Sequence, residues 1–347
     1  MTIFQFTGMD RAPTIRSAFQ TTTTRRHALR RRVLLASATA LIAFSAAAQT
    51  AWPSRPVRLL VGSAPGGGTD AMARAVADRL GPALKVPFVI DNRPGASNTL
   101  AADLAAKSTD GYTMVMGVST AHAIAPHLLK LAYDNDRDLV PVAFVGSVPN
   151  VLVVNNNLGV NSVADLVALA KKSPGKLNYA SSGAGSTQHI AAELFKESTG
   201  TFLTHIPYKG SSPAMMDLIS GQVDLSFETL ASVLPHIQAG KVKALAVTSA
   251  KRNANLQNVP TLAEAGVKGV EMGAWYGIYM PASTPKPVQE RVHEEVNKAL
   301  DAPETRKRLS AIGGEVTPMT QAQFIAFHNA ENKRFAELIQ RRAIKVD

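Results

Sequence analysis

Val57-Arg58-Leu59-Leu60-Val61, then Gly62-Ser63-Ala64-Pro65-Gly66-Gly67-Gly68-Thr69-Asp70, then Ala71-Met72-Ala73-Arg74-Ala75-Val76-Ala77-Asp78-Arg79-Leu80 is the stretch that decides the fold. An apolar, β-branched run reads as a buried strand, and the small-residue amphipathic run closed by Gly81-Pro82 reads as a helix. Between them, successive glycines let the backbone approach a ligand closely. The helix start that follows offers unpaired N–H donors to an anion.

The same alternation continues outward. Phe88–Ile90, Thr113–Val118 and Pro141–Val145 read as strands, and a helix runs from about Asn98 to Lys107. A second series begins at Val151–Val154. It proceeds through a helix at Val163–Ala170, a strand at Leu177–Ala180, a helix at Gln188–Glu197 and a strand at Phe202–Ile206. The helix Ser212–Ser220 and the strands Val223–Phe227, Ala244–Thr248 and Trp275–Met280 complete it. Such alternation argues for parallel sheets covered on both faces. From Pro287 onward only helical periodicity remains, so these last helices are expected to pack back on the first sheet. The expected plan is a leader at 1–48, a discontinuous first lobe at 49–148 and 275–347, and a second lobe at 149–274. The chain would cross between lobes twice, near Ser147–Val151 and Ala274–Pro281, and a double crossover makes a hinge and a cleft.

Length and composition narrow the field. A chain of 347 residues has ample material for a core and suggests two domains. Its lack of cysteine excludes disulfide scaffolds, zinc ribbons, iron–sulfur clusters and thiol nucleophiles. The net charge of +11 is concentrated at the start: Arg11, Arg16, Arg25, Arg26, Arg30, Arg31 and Arg32 face only Asp10. The remainder is mildly basic with dispersed Lys and Arg, which argues against a nucleic-acid surface. Arg25–Arg32, the apolar run Val33–Phe44 and Ala46-Ala47-Ala48 before Gln49 have the three parts of a secretory signal peptide. The apolar run is too short to span a hydrocarbon core of ~30 Å as a helix. Arg25-Arg26 also approximates a twin-arginine signal, so export by the Sec or the twin-arginine route is expected, with the mature protein in the periplasm.

Four constellations carry possible chemistry. The glycine loop lacks the Lys of a P-loop at position 68. Gly66-x-Gly68-x-x-Ala71 with Asp91 further on fits a dinucleotide fingerprint better, although Asp70 would set a negative charge beside a pyrophosphate. A small-anion cradle and an exported Rossmann-type oxidoreductase therefore both remain open for this loop. Ser181-Ser182-Gly183-Ala184-Gly185-Ser186-Thr187 repeats the strand–loop–helix design in the second lobe, and its hydroxyls and amides suit a carboxylate. Gly117-Val118-Ser119-Thr120-Ala121 nearly matches a nucleophile elbow, but Ala replaces the final Gly and no spacing selects a triad. Asp134-Asn135-Asp136-Arg137-Asp138 begins like a calcium loop, but Leu139 stands where Gly is required and Val145 where Glu is required. No metal and no cofactor is expected.

Taken together, the chain resembles the substrate-binding proteins of tripartite tricarboxylate transporters, the Bug/TctC-like family. The motifs that carry the resemblance run through the mature chain. They include Trp52-Pro53-x-Arg55-Pro56-Val57, Ala64-x-Gly66-Gly67-Gly68-Thr69-Asp70, Asp91-Asn92-Arg93-Pro94-Gly95-Ala96 and Asp110-Gly111-Tyr112-Thr113. Further on come Tyr179-Ala180-Ser181-Ser182-Gly183-x-Gly185-Ser186 with His189, Pro207-Tyr208-Lys209-Gly210, Gly221-Gln222-Val223-Asp224, Leu245-Ala246-Val247-Thr248, Val259-Pro260-Thr261 and Trp275-Tyr276-Gly277.

The resemblance implies an α/β, type II periplasmic-binding-protein-like fold of two lobes closing over a small carboxylate, without catalysis. It points to Pro65, Gly66, Gly67, Gly68, Asp70, Ser119 and Thr120 in the first lobe. In the second it points to Ser181, Ser182, Gly183, Gly185, Ser186, His189, Tyr208, Lys209 and Glu228. Glu228 stands where the family more often shows Asp, and its extra methylene changes the pocket's reach. The implied partners are the small carboxylate and the transporter's membrane components, with no nucleic acid, and the chain reads as a monomer.

Overall fold

The computed structural model describes residues 52–342, 344 and 345; the leader read at 1–48 lies outside the described residues. β1 (Val57–Val61) pairs in parallel with β2 (Phe88–Asn92) on one side and β3 (Thr113–Val118) on the other. The glycine loop leads from β1 into α1 (Gly68–Leu84), and α2 (Thr99–Ala106) connects β2 to β3. Leu59, Leu60, Val61 and Met114 are fully buried. Each such side chain contributes about 1.5–3 kcal/mol through burial.

The strand that organises the molecule is β4, Leu139–Asn155. Its first part, to Pro149, pairs antiparallel with β9 (Gly273–Pro281), which in turn pairs antiparallel with β3. Its last part pairs antiparallel with β7 (Leu225–Thr229) and β8 (Val242–Val247). Beyond β7 lie β5 (Asn178–Ser181) and β6 (Thr204–Pro207), both parallel. The strand order is β2-β1-β3-β9-β4-β7-β5-β6, with β8 on β4. Two α/β lobes result, and β4 belongs to both sheets. The partners of β4 change from β9 to β7 and β8 at Pro149-Asn150, and β9 begins at Gly273.

Two expectations from the sequence need correction. Pro141–Val145 and Val151–Val154 are parts of one strand, because β9 pairs through the intervening segment: Ser147 with Trp275, Val148 with Ala274, Pro149 with Gly273. The sheets are also mixed rather than parallel. β9 enters the first sheet directly from the second lobe, with no crossover helix, and a strand entering that way runs antiparallel.

The helices α3 (Val163–Lys172), α4 (Thr187–Thr199), α5 (Ser211–Ser220) and α6 (Leu230–Gln238) belong to the second series of elements. The last helices are α7 (Lys286–Asp301), α8 (Pro303–Ala311) and α9 (Gln321–Arg342). They return to the first sheet, as the sequence suggests. His293 on α7 bonds the Val142 carbonyl, and Phe324 on α9 meets Phe144 and Tyr279 edge-on, each at 5.5 Å between ring centres.

Candidate functional site

The glycine loop is braced from below. Asp70 is buried, and its Oδ2 accepts from the Gly66 amide and from Arg74 Nε, each at 2.9 Å. Its Oδ1 accepts from Asn92 Nδ2 at 2.9 Å, and the same amide group donates to the Ser63 carbonyl. Burial pushes the Asp70 carboxyl up, but Arg74, Gly66 and Asn92 together outweigh it and hold it below the usual 3.8. The carboxylate thus fixes the loop while the first turn of α1, Gly68 and Thr69, opens on a cavity.

The second loop follows β5. The Ser181 hydroxyl bonds Gly183 and, at 2.7 Å, His205 Nε2. Ser186 caps α4 by accepting from the His189 amide. Gly183 has φ +135°, and a Cβ there would stand 2.9 Å from Ser97 Oγ, so the position demands glycine twice over. Ser97, from the first lobe, donates to the Ala184 carbonyl. Residues Ala96, Ser97 and Asn98 all have positive φ, a turn that carries the first lobe up to the Ser/Gly loop.

Both loops line the same small cavity, about 20 Å3 in volume open to the centre of a water-sized sphere. Ser63, Gly68, Thr69, Asn98 and Thr120 come from the first lobe, Ser182, Thr187, Gln188, Ser211 and Thr229 from the second, and Tyr276 from β9. The lobes touch here. Ser212 Oγ donates to the Pro65 carbonyl at 2.9 Å, and a Cβ on Gly68 would stand 2.8 Å from Thr229 Oγ1. The lining contains neither Lys nor Arg. Around it, several buried polar atoms have no hydrogen-bond partner: Ser63 Oγ, Asn98 Oδ1, Ser119 Oγ and Glu228 Oε2. Helix starts and unpaired hydroxyls are suited to hold an anionic group without a cationic side chain.

Glu228 lies one layer behind this wall and is fully buried. Its Oε1 accepts from Ser211 Oγ, Gln188 Nε2, the Thr229 amide and Thr229 Oγ1, at 2.7–3.1 Å. Burial pushes its carboxyl up despite those donors.

Glu228 apart, the residues singled out in the sequence divide into four groups. Gly68, Thr120 and Ser182 line the cavity. Pro65, Gly66, Gly67, Asp70 and Ser119 flank it on the first-lobe side, and Ser181, Gly183, Gly185 and Ser186 shape the second loop. His189, Tyr208 and Lys209 lie elsewhere. The His189 ring stacks on His205 at 4.3 Å between centres and accepts from the Gly185 amide. The Tyr208 hydroxyl donates to Asp217 at 2.6 Å; burial and that carboxylate push it up to about 12. Tyr208 and Lys209 line a separate groove with Leu100, Leu129 and Tyr133.

Sequence reasoning passed over Ser63, Asn98, Gln188, Ser211, Thr229 and Tyr276 as site residues, and quoted Thr187 only as the end of the Ser/Gly motif. Gln188 directly follows that motif, and Tyr276 lies within Trp275-Tyr276-Gly277, so these had a signal. Asn98 had none, because its position depends on an unusual turn without glycine at its own site.

The competing chemistries gain nothing from the geometry. Ser119 Oγ has no hydrogen bond to a histidine; His122 Nδ1 pairs with Asn135, and its ring stacks on Tyr279. Asp91 is ion-paired with Arg58 and Arg93. Among the described residues no group of His, Asp and Glu is arranged to hold a metal ion.

Comparison with known proteins shows the family. Residues 72–344 match the family described as tripartite tricarboxylate transporter family receptor. Protein BugT of Bordetella pertussis (strain Tohama I) is 36% identical over 312 residues, 89% of this chain and 95% of that protein. A solved structure of R. palustris Rpa4515 with adipate is 37% identical, covers 85% of this chain and 99% of its own, and has a TM-score of 0.81. MatC from Rhodopseudomonas palustris with bound malate is 30% identical, covers 83% and 100%, and has a TM-score of 0.78. The dinucleotide reading of the glycine loop finds no support among these relatives. Two lobes meeting at paired strand–loop–helix turns, and a family match over most of the length, lead to one conclusion: the chain belongs to the tripartite tricarboxylate transporter receptor family.

Proposed function

We propose that the protein is a periplasmic solute-binding protein that captures a small carboxylate between its lobes and performs no chemistry on it. The observation that carries this reading is the convergence of Gly68-Thr69 and Ser182–Gln188 on one cavity ringed by unpaired buried polar atoms. Relatives solved with adipate and with malate support a carboxylate as the ligand class. Residues 1–48 act as the export signal. The lobes, 49–148 with 275–347 and 149–274, rock about β4 and the start of β9.

A cavity of about 20 Å3 holds little more than a water molecule. The lobes must therefore part to admit a dicarboxylate and settle again around it. Ligand contacts in both lobes then stabilise the closed arrangement. Hydrogen bonds to a charged group contribute about 1.5–3 kcal/mol each, and a handful, less association costs, give micromolar affinity, about −8 kcal/mol. The loaded monomer delivers its ligand to the membrane components of the transporter.

Calorimetric titration with mono-, di- and tricarboxylates tests the reading. Saturable one-to-one binding of at least one, with the ligand recovered unchanged, is the expected result. Saturable binding of NAD without any carboxylate response would overturn it in favour of a dinucleotide enzyme.

A further inference from the structure

We propose that the turn Ala96-Ser97-Asn98 is a spring between the lobes, strained when they close and relaxed when they part. The inference rests on the two-lobe reading above and adds what favours release. All three residues are left-handed, with φ of +45°, +53° and +71°. That region is costly for a residue with a Cβ, and of the three only Asn visits it readily. Among the described residues the one other non-glycine with positive φ is Lys85, just past the end of α1. Elsewhere along the line where the lobes meet, positive φ falls to glycine: Gly66 at +82°, Gly183 at +135°, Gly185 at +74° and Gly210 at +116°. Backbone strain is thus concentrated in one turn of this seam.

Two sets of contacts hold the turn. From its own lobe, the Asn98 amide donates to the Gly95 carbonyl at 3.0 Å, and Thr99 Oγ1 donates to the Ala96 carbonyl at 2.6 Å. From the other lobe, the Ala184 carbonyl accepts the Ser97 hydroxyl, and Gly183 packs against Ser97, which is buried. Parting the lobes removes the second set. Strain of this kind persists only where the surroundings over-determine it, so their withdrawal lets the turn relax. Closure then stores free energy here, and contacts that favour the closed form must exceed it. The spring opposes the Ser97 and Ser212 bonds, which would otherwise hold the lobes shut.

The test varies the strain at Ala96, whose side chain is exposed. Glycine removes the Cβ penalty, and a β-branched valine raises it. Because the chain has no cysteine, Lys130→Cys on the first lobe and Met216→Cys on the second, both exposed, take spin labels that report the distance between lobes. Each variant is checked for folding by circular dichroism. In ligand-free protein Ala96→Gly should move the distance distribution towards the closed arrangement, and Ala96→Val towards the open one. Calorimetry should show adipate binding about three- to tenfold tighter in Ala96→Gly and at least about threefold weaker in Ala96→Val, the range a left-handed Cβ is worth. Distances that both variants leave as in the wild type would overturn the spring while lobe motion stands. A melting temperature that then rises in Ala96→Gly and falls in Ala96→Val would show the turn to be left-handed in both arrangements. One narrow distance in the wild type, unchanged by adipate or malate, would instead remove lobe motion itself, and the inference with it.

Discussion

The hydroxyl of Ser212 donates to the carbonyl of Pro65 over 2.9 Å, tying the first turn of α5 to the glycine loop of the opposite lobe. Ser97 makes the reciprocal bond to Ala184, so each loop is held by a serine from across the cleft. The closed arrangement is thus stabilised partly by the protein itself, before any ligand contact is counted.

Removing both bonds should open the lobes. Each contributes about 0.5–1.5 kcal/mol net. The double variant Ser97→Ala with Ser212→Ala should lower carboxylate affinity roughly tenfold, chiefly through faster dissociation. Stopped-flow kinetics checks this; an unchanged dissociation rate would mean these bonds do not hold the closed form.

Gly68 separates fold from function most cleanly. It lies in the first turn of α1, where Ala is the better helix former. Its added Cβ would stand 2.8 Å from Thr229 Oγ1 and 3.1 Å from the Tyr276 hydroxyl. Gly68→Ala should keep the melting temperature within a few degrees yet weaken binding at least about tenfold, because the lobes can no longer meet. Calorimetry beside a thermal melt reads both, and unimpaired affinity would refute the close approach.

Asp70 should behave in the opposite way, as a structural anchor. Asp70→Ala leaves the Gly66 amide, Arg74 and Asn92 short of a partner. The expected cost is about 3 kcal/mol of stability. Because the folded carboxyl lies below its usual 3.8, its stabilisation is complete above that pH and lost only as pH falls through the folded value. Urea denaturation from pH 7 downward should therefore separate wild type from Asp70→Ala by a constant gap that narrows only once pH falls below 3.8.

The histidines set the acid limit earlier. Burial, with His328 nearby, drives His122 down to about 3, and burial with His189 nearby drives His205 to about 4, from the usual 6.5. The unfolded chain binds these protons first, so stability is full above pH 6.5 and falls as pH drops towards 4. Each group costs about 1.4 kcal/mol per pH unit in that window. His205→Gln should flatten the fall between pH 6.5 and 4.5 by about one proton's worth. Parallel curves for the two proteins would show that His205 already titrates normally.

The local units were legible because each is written in consecutive residues. The Val57–Val61 strand, the triple glycine and the following helix announce themselves by periodicity and by glycine. The apolar runs Pro141–Val145 and Val151–Val154 are separated by Gly146–Asn150, which carries no strand pattern of its own; pairing of Val148 with Ala274 and Pro149 with Gly273 carries β4 through. That pairing depends on residues more than a hundred positions away, which no local pattern contains. The cavity wall divides the same way. Gly68 and Ser182 stand in glycine-rich motifs, whereas Asn98 and Thr229 reach the cavity only through tertiary placement. The His189 ring of α4 likewise stacks on His205 of β6, a contact between elements that no local pattern contains.

The central claim is that two opposed loops grip one carboxylate ligand between them. Backbone amide NMR during a titration with adipate, repeated with malate, measures this directly. Saturable shifts at Gly66–Thr69 and at Ser182–Gln188, following a single dissociation constant, are the expected result. Silence at both loops, or shifts at one loop alone while ligand demonstrably binds, would contradict the account.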